Sequence, residues 1–205
     1  MLENKHKNSI FLDLDHTLIC GEPTEELDFN LYKKKHKLFE SFDMDGYYMI
    51  YSRPYLQEFL DYIFSNFNVS VWTAASKDYA LFIIEKIILH NKPDRHIDFI
   101  FFDYHCNLSK KINNYTKKLS ILWDNYKLKD FSYNNTIIID DYIEDVHKCQ
   151  PNNCIIAPKF EFTKNNSEND TFLKDIIPKL KKMKLQMDTP VIPDITNKIN
   201  LELKK

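Results

Sequence analysis

Ser9-Ile10-Phe11-Leu12-Asp13-Leu14-Asp15-His16-Thr17-Leu18-Ile19 is the stretch on which the fold turns. Ile10 to Leu12 form a short apolar run, the pattern of a strand buried on both faces of a parallel sheet. Two carboxylates follow with one residue between them. A period of two puts Asp13 and Asp15 on one side if the strand geometry persists, and Thr17 lies two further on. Acids emerging together from a buried strand repel each other. Either a cation such as Mg²⁺ compensates, or one acid keeps its proton because the like charge raises its pKa. A strand end whose acids merely cap a helix or face water is the plainer alternative. Phosphoryl transfer through an aspartyl-phosphate uses both devices at once, a metal-bound carboxylate nucleophile and a neighbouring acid for the leaving group.

The wording Leu12-Asp13-Leu14-Asp15-His16-Thr17-Leu18-Ile19 resembles motif I, Asp-x-Asp-x-Thr, of the haloacid dehalogenase-like (HAD) phosphatases. It is most similar to the branch holding the small RNA polymerase II C-terminal-domain phosphatases and their NLI-interacting-factor-like relatives. The resemblance implies that Asp13 is the nucleophile and Asp15 the general acid/base.

Outward from this stretch, the chain of 205 residues is 43% hydrophobic and rich in Phe and Tyr, enough for one domain with a sizeable core. A formal net charge of −2 gives no global electrostatic case for nucleic acid. Only two arginines occur, Arg53 and Arg95. No apolar run reaches the ~18 residues of a membrane span, and the polar Met1–Asn8 is no signal peptide, so the expectation is an intracellular protein, cytoplasmic or nuclear. Cys20, Cys106, Cys149 and Cys154 lack zinc-type spacing and read as reduced thiols, with a Cys149–Cys154 bridge left open.

In chain order, Gly21–Leu31 is acidic and turn-rich, and Lys33-Lys34-Lys35-His36-Lys37 reads as a solvated strand or loop. Asp45-Gly46 between β-prone runs predicts a hairpin turn. Ser52-Arg53-Pro54 predicts a helix start, with Leu56, Phe59, Leu60, Ile63, Phe64 and Phe67 as its core face. Val69–Thr73 predicts a second parallel strand with Thr73 at its carboxyl end, and Ser76 an N-cap for the helix that follows. Ile97–Phe102 predicts another strand, then a loop holding His105 and Cys106, whose adjacency reads as ordinary packing. Asn113–Tyr126 predicts a helix, Thr136–Asp140 a buried strand ending in Asp140-Asp141, and Asn153–Ala157 a last strand. Lys164–Asp170 reads as a polar loop, and Thr171–Met183 as a helix that Pro178 should kink or end. From residue 184, weak periodicity with Pro190 and Pro193 predicts a loosely held tail.

Three of these places extend the resemblance. Val71-Trp72-Thr73-Ala74-Ala75-Ser76 resembles motif II, Lys117-Lys118-Leu119-Ser120 motif III, and Ile139-Asp140-Asp141 motif IV. The resemblance implies a single HAD-like domain over residues 8–183, an α/β Rossmann-like parallel sheet with flanking helices, a small β-hairpin insertion after motif I and no large cap domain. It implies a Mg²⁺-dependent phosphoprotein (Ser/Thr) phosphatase, with Thr73 and Lys117 on the phosphate. Asp13, the main-chain carbonyl of Asp15, and Asp140 or Asp141 would hold the metal. The implied partner is a phosphoprotein or phosphopeptide, with the polymerase C-terminal domain among the candidates. A phosphatase for a small phosphate ester or nucleic-acid end, or a non-catalytic binding module of the same fold, are the alternatives. Three departures stand out: no Arg near Asp103 where polymerase-tail enzymes read the peptide, Ser76 in place of an apolar residue, and Asp141 where the nearest relatives have Asn.

Overall fold

The computed structural model describes residues 6–185 and 192–203. The chain runs β1 (Ser9–Leu12), β2 (Ile19–Pro23), α1 (Phe29–His36), β3 (Ser41–Met44), β4 (Tyr48–Ser52), α2 (Leu56–Phe64), β5 (Asn68–Trp72), α3 (Lys77–Ile83), β6 (Ile97–Phe101), α4 (Asp103–Asn113), β7 (Thr136–Asp140), β8 (Cys154–Ile156), α5 (Phe172–Leu185) and α6 (Ile192–Leu203). Single π-helical turns follow at Ile84–Ile88, Ile121–Asn125 and Ile143–His147.

Five strands form an all-parallel sheet in the order β6-β5-β1-β7-β8. The central strand is β1, with Leu12 level with Val71 on one side and Ile139 on the other. Alternation explains why its residues are apolar without a break. Ile10 and Leu12, with Val69, Val71, Ile137 and Ile139, face a layer built from α2, α3 and α5. Phe11, Trp72 and Ile138 face the opposite layer, with Leu119, Leu122 and Phe131. From β1 the chain fills one side of the sheet and then returns to the other at β7. This reversal makes the carboxyl ends of β1 and β7 the switch point at which open α/β sheets bind ligands.

Between β1 and β5 the insertion is a three-stranded antiparallel sheet, β2-β4-β3, together with α1. Its hairpin turns at Asp45 and Gly46, both at positive φ (51° and 76°), and Tyr47 N donates to Met44 O at 2.9 Å. The basic run expected in a strand or loop is the last turn of α1. Asp28 caps this helix by accepting from Asn30 N and Leu31 N, and its lysines complement the carbonyl end of the helix dipole. No residue of α1 is buried, so apolar periodicity could not have marked it. Helix α2 starts at Leu56 rather than at Pro54, behind Tyr55 in a left-handed conformation.

Further corrections lie in the second half. His105 and Cys106 belong to α4 and not to a loop. The helix expected over residues 113–126 is instead the end of α4, an irregular stretch, and the turn at Ile121–Asn125. Of the kink or end expected at Pro178, the end is not found: α5 runs on to Leu185, and Pro178 and Lys174, four residues before it, are both exposed, so the carbonyl left without a donor lies on the solvent side. The expectation of a loose tail fails for residues 192–203. Helix α6 buries Thr196, Ile199 and Asn200, and Asn200 Oδ1 accepts from Ile156 N (3.0 Å) while its Nδ2 donates to Cys154 O (2.7 Å). Residues 186–191 of that tail lie outside the described ones. Among the described residues, no helix is long and apolar enough to cross a membrane.

Candidate active site

Asp13 leaves the end of β1 with its amide donating to Ile139 O of β7 at 3.0 Å. The chain then turns sharply. Thr17, Leu18 and Ile19 all donate to Leu14 O, and His16 sits at a φ of 61°. Phe160, from the stretch after β8, holds this turn reciprocally: Phe160 N donates to His16 O (2.7 Å) and His16 Nδ1 to Phe160 O (3.0 Å). Arg53 fastens it from below. Its guanidinium donates to Thr17 O at 3.0 Å and makes a bidentate pair with Asp170 (2.8 Å twice), stacked on Phe172. Arg53 is therefore a buried structural residue.

Both oxygens of Asp13 are engaged. Thr17 Oγ1 donates to Oδ2 at 2.9 Å, and Lys117 Nζ donates to Oδ1 at 2.6 Å. Lys117 Nζ also donates to Asp140 Oδ2 at 2.8 Å, so one ammonium bridges the ends of β1 and β7. Tyr142 N donates to the other Asp140 oxygen at 2.8 Å. Burial alone would lower the Lys117 ammonium. The charges of Asp13 and Asp140 outweigh burial and hold it above the usual lysine range. Burial raises the Asp140 carboxyl, against the pull of Lys117 and of the Tyr142 N–H. Of the two adjacent lysines, Lys117 reaches the acids, while Lys118 Nζ lies over the Tyr115 ring.

Asp13, Asp140 and Asp141 each offer a carboxylate oxygen within 4.8 Å of the others. Such an all-oxygen anionic donor set suits a hard divalent cation of the Mg²⁺ kind. One ammonium against three carboxylates leaves the group short of positive charge, which a divalent cation would balance. The Asp15 carboxyl is not in this cluster. It turns away and accepts from Tyr79 Oη at 2.6 Å. Burial raises its pKa to about 6, with the Tyr79 bond opposing and the Asp13 charge adding. Thr73, at the end of β5 and buried, accepts from Ala75 N at 3.1 Å through its hydroxyl, which keeps its proton to donate.

The structure thus brings Asp13, Lys117, Asp140 and Asp141 together, sets Asp15 at the rim, and places Thr73 at the neighbouring strand end. Sequence reading missed the residues that hold these in place: Tyr79 on Asp15, and Asp145 and Gln150 on the stretch carrying Lys117. Nothing local marks them, since each acts across at least 29 residues. The four cysteines are free; Cys106 donates to Thr73 O, and burial pushes its thiol up to about 11.

Asp15 and Tyr79 form the floor of an open cleft of about 430 Å³, walled by Met44, Tyr47, Tyr48 and Ser76. Asp15 therefore borders the open cleft, while Asp13 is held between Thr17 and Lys117.

Residues 8–190 match the profile of the family described as NLI interacting factor-like phosphatase. The CTD phosphatase-like protein 355R of Invertebrate iridescent virus 6 is 48% identical over 176 residues, 82% of this chain and 96% of that protein. Its namesake in Invertebrate iridescent virus 3 is 43% identical over 178 residues, 84% and 94% of the two. Among solved structures, fission yeast RNA polymerase II CTD phosphatase Fcp1 bound to beryllium fluoride shares the fold, with a TM-score of 0.54 at 19% identity over 96% of this chain. The chain spans about half of that structure, 55% of its length.

Proposed function

Because the chain belongs to the NLI interacting factor-like phosphatase family, we propose that it hydrolyses phosphoserine or phosphothreonine in proteins through an aspartyl-phosphate on Asp13. One observation carries this reading: Asp13 is fixed from both sides, by Thr17 at 2.9 Å and Lys117 at 2.6 Å, beside an Asp15 whose pKa is raised to about 6. A carboxylate held in one rotamer suits in-line attack, and a neighbouring acid that titrates near neutrality suits proton transfer in both directions.

In the first half-reaction an Asp13 oxygen bonds to phosphorus as the bond to the seryl or threonyl oxygen breaks. Asp15 gives its proton to that leaving oxygen. In the second half, ionised Asp15 takes a proton from a water that attacks the same phosphorus. The bond to Asp13 breaks, inorganic phosphate leaves, and Asp15 is again protonated. Lys117 and Thr73 donate to the non-bridging oxygens throughout, so that most of the catalysis is positioning and charge neutralisation. Asp13, Asp140, Asp141 and the Asp15 carbonyl are the groups that would hold a Mg²⁺, which would supply further charge neutralisation.

A protein substrate is supported by the open cleft beside Asp15, which has room for a residue next to the phosphorylated one. It is also supported by the names of the viral relatives, both CTD phosphatase-like. The test is a rapid acid quench of the protein with Mg²⁺ and a ³²P-labelled phosphopeptide. Label should appear on the protein, be released by hydroxylamine as an acyl phosphate is, and be absent from Asp13→Asn. Turnover by Asp13→Asn at the unaltered rate would overturn the reading.

A further inference from the structure

Lys117 does not sit on a helix or a strand. It lies in the irregular stretch Asn114–Leu119, between α4 and the turn at Ile121–Asn125. An ammonium on such a stretch is positioned only as well as the main chain beneath it, and misplacement of a catalytic contact by ~1 Å costs up to about a hundredfold in rate. Three side chains fix the stretch: Ser109 of α4 donates to Tyr115 O at 2.8 Å and accepts from Lys118 N at 3.2 Å, and the other two both follow Asp140 and Asp141 in the chain. Asp145 accepts from Thr116 N and from Thr116 Oγ1, each at 3.0 Å. Gln150 reaches the next residues with both ends of its carboxamide. Nε2 donates to Lys117 O at 2.7 Å, and Oε1 accepts from Leu119 N at 2.8 Å. The amide thus does for Lys117 what a neighbouring strand does for a strand residue: it pairs a carbonyl and an N–H two residues apart.

We infer that Gln150 is a positioning residue of Lys117, the side chain that bonds the lysine's own carbonyl and so holds its main chain with the ammonium between Asp13 and Asp140. The inference rests on the reading of Lys117 as the phosphate contact. It adds that the motif III lysine is placed from the segment that carries the motif IV acids, so residues 116–119 and 140–150 work as one piece. Gln150 also borders a cleft of about 250 Å³ with Trp123, Tyr133 and Pro151, which leaves room for a substituted side chain.

The test is a double-mutant cycle of Gln150→Leu and Lys117→Ala, read as kcat/KM for an aryl phosphate with Mg²⁺. Gln150→Leu keeps the volume and removes both bonds. It should cost about tenfold or more, the scale on which partners that orient a functional group act. In the Lys117→Ala background it should cost less than about twofold, because nothing is left to position. A purely structural residue would cost the same in both backgrounds, and that result overturns the inference. Gln150→Glu repeats the cycle: it keeps the acceptor for Leu119 N and loses the donor to Lys117 O, so it carries the test if the leucine variant does not fold. Binding of inorganic phosphate by calorimetry reads the same coupling without turnover, and should weaken in step. Wild-type activity and phosphate affinity in both Gln150 variants, beside a large loss in Lys117→Ala, would sink the positioning role and leave the phosphatase standing. No loss in Lys117→Ala would instead remove the phosphate-contact reading itself.

Discussion

The hydroxyl of Tyr79 donates to Asp15 Oδ1 at 2.6 Å, and the Tyr79 oxygen stands directly against the place a β-carbon on Gly21 would take. One phenol therefore ties the acid of the site to a glycine of the inserted sheet. The bond favours the Asp15 carboxylate and so opposes burial, which favours the neutral acid.

Removing the bond should leave burial opposed only by the charges of His16 and Lys117. In Tyr79→Phe the Asp15 pKa rises further above about 6. Attack on substrate uses protonated Asp15, so the limb on which kcat/KM falls with rising pH should move to higher pH. A pH–rate profile of the variant measures this; a limb that stays put or moves toward acid would count against Asp15 as the proton donor.

Gly21→Ala should act through the same contact. Its φ is not in the left-handed region, so the cost is steric: the methyl displaces Tyr79, which is already packed edge-on against Tyr48. The variant should shift the pH profile in the direction of Tyr79→Phe and lose about 1–3 kcal/mol in urea unfolding, the usual cost of overpacking. Wild-type stability with an unmoved profile would show that Tyr79 yields freely.

Lys117→Ala and Lys118→Ala should differ sharply. Lys117 bridges Asp13 and Asp140, and losing one preorganised charge contact should cost about a hundredfold or more in kcat/KM. Lys118 faces Tyr115 and should stay within a few-fold of wild type. Equal losses at the two positions would contradict the geometry of the site.

Asp170→Ala strands the Arg53 guanidinium, whose side chain is 0% exposed where that of Asp170 is 22%. Breaking a buried pair by removing one partner is costly, and with Asp170 partly solvated about 2–4 kcal/mol is expected from denaturant unfolding. Activity should fall as well, because Arg53 also holds Thr17 O. A loss under about 1 kcal/mol would mean that Arg53 finds water or another acceptor.

Peptide preference should be modest. The chain has two arginines, and both are buried and engaged, Arg53 by Asp170 and Arg95 by Asp61 and the Ile88 carbonyl. Neither is available to read a second phosphate. Polymerase-tail phosphopeptides should then gain no more over unrelated ones than an apolar subsite supplies, roughly 10–200-fold. A competition assay with the two peptide classes decides it, and a larger ratio would reveal a reader elsewhere, Lys77 being a candidate.

How much of this was legible beforehand depends on where each signal lives. Ile10–Leu12 and Thr136–Asp140 announced themselves because strands buried on both faces must be apolar throughout. Asp45-Gly46 and Ser76 were readable because turns and caps are local chemistry. Helix α1 escaped because it buries nothing, and α4 because it buries only Cys106 and Ser109. The prolines that argued against a C-terminal helix misled: Pro193 is the second residue of α6, where the ring's fixed φ suits a first turn. At the site, Asp13, Lys117, Asp140 and Asp141 could be placed together from the motif words. Tyr79, Asp145 and Gln150 could not, since their bonds to Asp15, Thr116 and Lys117 join residues distant in sequence and leave no local pattern.

The Asn200 amide on β8 has a consequence for where the protein can be cut. The family match stops at residue 190, two positions before α6 begins. A fragment trimmed there would expose Ile156 N and Cys154 O along the outermost strand of the sheet, a bare hydrogen-bonding template that any extended chain can extend. The unit expected to stay monodisperse is therefore longer than the unit that alignment outlines, and expression designs should retain residues through Leu203.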